Sequence, residues 1–169
     1  ISLNMTRILG IDPGTNITGL GIIETNGSAI NYIHHEILKT GIKNKYSIKL
    51  ASIHTTVNKI ILEYQPHQVA IESVFFSVNA ATAIKLGQAR GAALTACGIN
   101  NCDIYEYTPR RVKLVISGSG ASDKIQLQKK VKKILNIRRK LEIDASDALA
   151  VAICHGMTIK ENPESISSI

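Results

Sequence analysis

The sequence predicts a single α/β domain on a mixed five-stranded sheet, and three observations carry that expectation. The first forty residues pattern as consecutive strands, with a hairpin signal between the second and third. Beyond residue 45, amphipathic stretches alternate with short strand-like runs, giving the order βββαβαβ followed by helices. Two of the five strands end on a carboxylate, which an apolar core does not explain. At 169 residues the chain is long enough to bury a substantial core without disulfides.

Residues 7–12, closing on Ile8-Leu9-Gly10-Ile11-Asp12, form the first strand and 18–25 the second. Asn26-Gly27 marks a turn into a third strand over 29–38. Ile53, Val57, Ile60, Ile61 and Tyr64 recur at helical spacing, so 46–64 reads as an amphipathic helix stopped by Pro66. A short buried strand follows at 68–72, and 79–98 reads as a helix. That helix is so rich in alanine and glycine that a neighbour is expected to pack very close to it. Residues 103–107 alternate as the fifth strand, and Pro109 suits the first turn of the next helix. Gly118-Ser119-Gly120 breaks that helix, Ser122 is expected to cap a basic helix over 123–136, and the last helix spans 144–160. The domain is expected to cover 5–160. Residues 1–4, before Met5, read as a leader or remnant, and 161–169 as a polar, flexible tail.

No apolar stretch reaches the roughly 18 residues of a membrane span, and no signal peptide is evident. Cys97, Cys102 and Cys154 form no CxxC pair and have no histidines at ligand spacing; they read as reduced thiols of a cytoplasmic protein. The net charge of +7 is uneven. Residues 109–140 hold 11 Lys/Arg against Asp123 alone, a local +10, while the remaining residues sum to −3. A solvated lysine-rich helix face would account for the run by itself. Beside a cluster of acids, it points instead to a polyanionic substrate.

Those acids are Asp12, Glu72, Asp144 and Asp147. Asp144 and Asp147 lie three apart at the start of a helix whose apolar stripe continues through Ala148, Val151 and Ala152, so both share its inward face. Each acid has an ordinary alternative: a turn at Asp12-Pro13-Gly14-Thr15, a lysine pair for Glu72, helix capping for the other two. Together they make a hard oxygen donor set suited to Mg²⁺ or Mn²⁺ rather than zinc. Two such ions would serve displacement at a phosphodiester. Two further signals are set aside. Gly118 to Lys124 lacks the spacing of a phosphate loop, and His34-His35 is expected at a strand end on the surface.

Several stretches, in order and similarly spaced from about Arg7 to His155, resemble the RuvC family of bacterial Holliday junction resolvases. They are Gly10-Ile11-Asp12-Pro13-Gly14-Thr15, Ala70-Ile71-Glu72, Leu86-Gly87-Gln88-Ala89-Arg90-Gly91, Tyr107-Thr108-Pro109 with Val112-Lys113, Gly118 to Gly120 with Lys124, and Asp144-Ala145-Ser146-Asp147-Ala148-Leu149-Ala150. The resemblance implies an RNase H-like fold with its first three strands antiparallel. It also implies a homodimer that cuts four-way junction DNA symmetrically with two Mg²⁺ per site, working with a branch-migration motor of the RuvA and RuvB type. On it, Asp12, Glu72, Asp144 and Asp147 become the catalytic, metal-holding set. Phe75 becomes a base-stacking aromatic, and Lys113 and Lys124 stand near the scissile phosphate. Arg110 and Arg111, in the same basic segment, are assigned to DNA with them, and the small-residue helix to dimer contacts. Ser73 and Ser122 depart from the family's frequent glutamine and alanine, which bears on sequence preference at the cut.

Three alternatives remain open on the sequence alone. One is a related RNase H-like nuclease acting on another branched or RNA-containing substrate. An actin/Hsp70-like ATPase shares the Asp-x-Gly-Thr loop, but 169 residues cannot supply its two lobes. A non-catalytic junction-binding module would not need four converging acids.

Overall fold

The computed structural model describes residues 5–74, 79–161 and 168–169. Its strands are β1 (Thr6–Asp12), β2 (Ile17–Thr25), β3 (Ile30–Lys39), β4 (Gln68–Glu72) and β5 (Asp103–Tyr107). Its helices are α1 (Tyr46–Tyr64), α2 (Ala80–Ile99), α3 (Pro109–Ser117), α4 (Lys124–Ile134) and α5 (Ile143–Glu161). Residues 1–4, Phe75 and most of the expected tail lie outside the described residues; Ile169 donates its N–H to the Ile104 carbonyl of β5 at 2.9 Å.

The five strands form one sheet in the order β3-β2-β1-β4-β5. β1, β2 and β3 pair antiparallel, while β4 runs parallel to β1 and β5 parallel to β4. The mixed RNase H-like sheet expected from the sequence is thus realised. Central β1 is buried on both faces, as its continuous apolar run requires. Ile8 joins one apolar layer with α3, α4 and α5; Leu9 and Ile11 join the other with Ile53, Val57 and Ile60 of α1 and the alanines of α2.

Four local expectations are corrected. The β2–β3 connection is a four-residue loop, one residue longer than the expected strands 18–25 and 29–38 leave: Thr25 pairs with Ile30, and the Asn26 Oδ1 accepts from the N–H groups of Ser28 and Ala29 at 2.9 Å. The cap of α4 is Asp123, not Ser122. Asp123 Oδ1 accepts from Gln126 N–H at 2.8 Å and Gln126 Oε1 accepts from Asp123 N–H at 3.1 Å, a reciprocal pair serine cannot better. His34 and His35 lie mid-strand and half-buried: His34 stacks on Tyr64 with ring centroids 4.8 Å apart, and His35 bonds Tyr32 Oη at 3.0 Å. Finally, α2 buries Ala83, Ala89, Ala93 and Ala96, yet a Cβ on Gly87 or Gly91 would meet no described residue within 4 Å.

The closest approach is elsewhere, between α5 and the sheet glycines. A Cβ on Gly10 would stand 1.9 Å from the Ala148 carbonyl oxygen, one on Gly19 2.0 Å from that of Asp144, and one on Gly21 2.7 Å from Leu149 Cδ2. Two of these collisions are with helix backbone, which cannot rotate away. Gly19→Ala is therefore expected to cost about 3 kcal/mol or more. Read as a melting temperature, that is a fall of roughly 6–12 °C for a domain of this size. A shift below about 2 °C would mean that α5 slides freely on the sheet.

Candidate active site

Parallel strands in register bring their ends together. Ile11 pairs with Ile71, so Asp12 and Glu72, one residue on, end adjacent strands at the same edge of the sheet. On the far side of Glu72 is Tyr107, whose backbone carbonyl accepts from Ser73 N–H at 2.8 Å and holds the strand end in place. The loop after Asp12 is also fixed: Thr18 Oγ1 donates to Gly14 O at 2.9 Å and Thr40 Oγ1 to Thr15 O at 2.6 Å.

The remaining acids arrive from above. Gly19 is the β2 partner of Asp12, and the missing side chain at Gly19 is what lets the Asp144 backbone settle over it. One helical turn then carries both Asp144 and Asp147 to the ends of β1 and β4. The four carboxylates expected from the sequence therefore share one corner of the fold. The sheet supplies two and the start of α5 the other two.

Their electrostatics follow from that crowding. Asp12 is pushed up to about 8, first by burial, then by the charges of Asp147, Glu72 and Asp144, against the pull of Lys124. Glu72 is pushed up to about 7 by burial and Asp147, with Lys124 and Lys113 opposing. Burial also raises Asp147, and Lys124 offsets part of that. Lys124 Nζ lies 3.3 Å from Asp147 Oδ2 and is itself held protonated by it. With the lysine side chain 70% exposed, this pair contributes little on its own. It marks where a cation is wanted.

The donor set fits a hard divalent ion: carboxylate oxygens at a partly buried corner, with no thiolate or imidazole among them. Among the described residues, no three acidic, His or Cys side chains are gathered closely enough to enclose an ion.

Of the cations nominated from the sequence, Lys113 and Lys124 reach the acids electrostatically. Arg110 packs its side chain beside Gly120, on the loop leading to Lys124. Arg111 lines a cavity of about 460 Å³ with Ser28, Leu114 and Met157, by the β2–β3 loop at the sheet end remote from the acids. Phe75 falls outside the described residues.

A profile of the crossover junction endodeoxyribonuclease RuvC family matches residues 8–155. The protein of that name from Caldicellulosiruptor saccharolyticus is 49% identical over 154 residues, 88% of this chain and 91% of the relative. Its counterpart from Pasteurella multocida is 44% identical over 156 residues, covering 92% and 82%. The chain belongs to the RuvC family. The solved structure of Thermus thermophilus RuvC in complex with a Holliday junction substrate is 28% identical and superposes with a TM-score of 0.90 over 97% of this RuvC-family chain and 99% of that one. The RuvC family is one of metal-dependent nucleases, and membership makes this chain a Holliday junction resolvase, an endodeoxyribonuclease of DNA crossovers. Among the described residues, no helix is long and apolar enough to cross a membrane.

Two features of this RuvC-family site were missed from the sequence. Lys49 is buried and donates from Nζ to Asn16 Oδ1 at 2.7 Å, tying α1 to the loop after Asp12. The signal was present: Lys49 stands four residues before Ile53, on the apolar stripe of α1. His155, fully buried on α5, is bonded through Nδ1 to Tyr107 Oη at 2.6 Å and through Nε2 to Gln68 Oε1 at 2.9 Å. Burial drives its imidazole down to about 4, so it stays neutral while joining the helix of Asp144 and Asp147 to β4, the strand that ends in Glu72, and to β5 beside it. Only contact across the fold reveals that tie.

Proposed function

We propose that Asp12, Glu72, Asp144 and Asp147 are the catalytic carboxylates of this resolvase and hold two Mg²⁺ ions, with Mn²⁺ an acceptable substitute. The reading is carried by the meeting of two strand-end acids with two helix-start acids around a lysine ammonium. Bound there, the ions supply a water activated at neutral pH and charge compensation at the leaving oxygen.

The chain's own groups do the rest. Asp12 and Glu72, protonated near neutrality without a cation, give up their protons as the site fills. Asp147 then releases Lys124, whose ammonium, with that of Lys113, is free to meet the scissile phosphate. Phe75, three residues after Glu72, stacks on a base opened at the crossover, worth roughly 1–3 kcal/mol. Arg110 and Arg111, exposed on the first turn of α3, contact the phosphate backbone.

Residues 5–160 form the catalytic unit and act in the cytoplasm as a homodimer. Gly87 and Gly91, open on α2 beside exposed Ile84, offer a second copy a face that it can approach closely. A two-fold axis there places two sites against a substrate of matching symmetry. A branch-migration motor of the RuvA and RuvB type delivers the junction.

The test is cleavage of a labelled synthetic four-way junction against linear duplex, with Mg²⁺ and with chelator. The expected result is paired, symmetric nicks in the junction only, and only with metal. Tight junction binding without cutting under any metal condition would overturn the catalytic assignment.

A further inference from the structure

We propose that Lys39, Lys43 and Lys45 form a second DNA-backbone surface, which receives a junction arm on the side of the active corner opposite the 109–140 segment. The proposal rests on the reading of the chain as a junction nuclease. Between Glu36 and Glu63 the chain carries five lysines (39, 43, 45, 49 and 59) and no acid, a tract hidden by the negative balance outside 109–140. Lys39, the last residue of β3, and Lys43 and Lys45, in the turn that leads to α1, are exposed. That turn is built, not loose. Asn44 Nδ2 donates to Thr40 O at 2.6 Å, Thr40 N–H donates to Asn16 O at 3.0 Å, and Lys39 pairs with Ile17 across the strands. The lysines thus stand at the carboxylate end of the sheet, next to the loop after Asp12. Helix α1 packs on the face of the sheet opposite α3, α4 and α5, so the two basic tracts flank the acids.

A second observation says that an anion belongs there. Lys45 is the N-cap residue of α1, no side chain caps this end, and its first turn holds no acid. Lys43 precedes it and Lys49 follows within that turn. Cations at a helix N-terminus oppose the helix dipole and repel one another. The helices α2, α3 and α4 begin instead on the capping side chains of Asn79, Thr108 and Asp123. The arrangement at α1 is unfavourable in the free chain and is relieved when phosphates lie across the turn, each met by a lysine as a point charge.

The test compares the full chain with the triple variant Lys39→Ala/Lys43→Ala/Lys45→Ala in metal-free junction binding over a salt series. Loss of two to three phosphate contacts reduces the slope of log affinity against log salt by about 2 to 3 and weakens binding at least about tenfold at moderate salt. The effect falls on Kd and KM, while kcat at saturating junction stays near that of the parent chain. An unchanged slope overturns the surface, and so does a collapse of kcat, which would put these lysines at the chemistry. The nuclease reading is judged apart from this, by whether the parent chain cuts the junction with Mg²⁺.

Discussion

Asp147→Asn is expected to leave a folded protein that binds four-way junctions and cuts them at least about 10³-fold more slowly, the loss that follows from about 4 kcal/mol of transition-state stabilisation. The residue is central in two ways. Its carboxylate holds Lys124 at 3.3 Å, and its charge is the foremost Coulombic influence raising both Asp12 and Glu72. The amide keeps the shape of the side chain and removes the charge, so Asp12 and Glu72 ionise more easily while the site loses one of its proposed metal ligands. The metal-free variant is therefore expected to melt no lower than the parent at neutral pH, even as its chemistry fails. Single-turnover cleavage in Mg²⁺, beside a melting curve in chelator, reads both. Cutting within tenfold of the parent would remove Asp147 from the catalytic set.

The metal-free protein is expected to lose stability as pH rises from about 6.5 to 8, and Mg²⁺ to restore it. Asp12 ionises at 3.8 when unfolded but near 8 in the fold, and Glu72 moves from 4.5 to about 7. Between those values the folded chain binds more protons than the unfolded one, so each step up in pH favours unfolding. Their contribution is complete below about pH 4 and gone above about pH 8. His155 works the other way. Lowered from 6.5 to about 4, it makes the fold gain stability as pH rises through that interval and partly masks the acids there. The clean window is therefore above 6.5, where one proton held by Asp12 corresponds to about 2 kcal/mol across the interval, roughly 4–8 °C in Tm. Melting curves in chelator should fall over this range, flatten with excess Mg²⁺, and fall less steeply in Asp12→Asn without any metal, where Glu72 alone still titrates. A chelator curve that rises with pH would contradict the buried, crowded placement of Asp12.

The strand and helix boundaries that were legible in the sequence are those set by one-dimensional patterns. The stripe Ile53-Val57-Ile60-Ile61 fixed α1 over Tyr46–Tyr64, and the apolar run ending in Glu72 fixed β4. Acids at strand ends were visible because they break such patterns. What escaped depends on distance across the fold. Gly10, Gly19 and Gly21 read as ordinary strand residues, although their absent side chains admit α5. The alanines and glycines of α2 announced a close neighbour without saying on which face, and among the described residues it is the alanine face that is packed. Asp123 outcompetes Ser122 as a cap because Gln126 returns its bond, a partnership that one position alone does not disclose.

The seating of α5 on bare backbone also bears on how this enzyme can fail and change. The span between its two pairs of acids is set by main-chain contact, like the gap in a cast frame, and is not adjusted by rotating side chains. On the proposed assignment of the four acids, a change at Gly19 that never meets DNA is then a change to the catalytic centre, and its loss of activity would look, in a genetic screen, like damage to an active-site acid. Conversely, if the exposed lysine tracts grip DNA as proposed, variation in them retunes which junctions are held while leaving that frame untouched. Specificity and chemistry are thereby free to drift on separate parts of the chain.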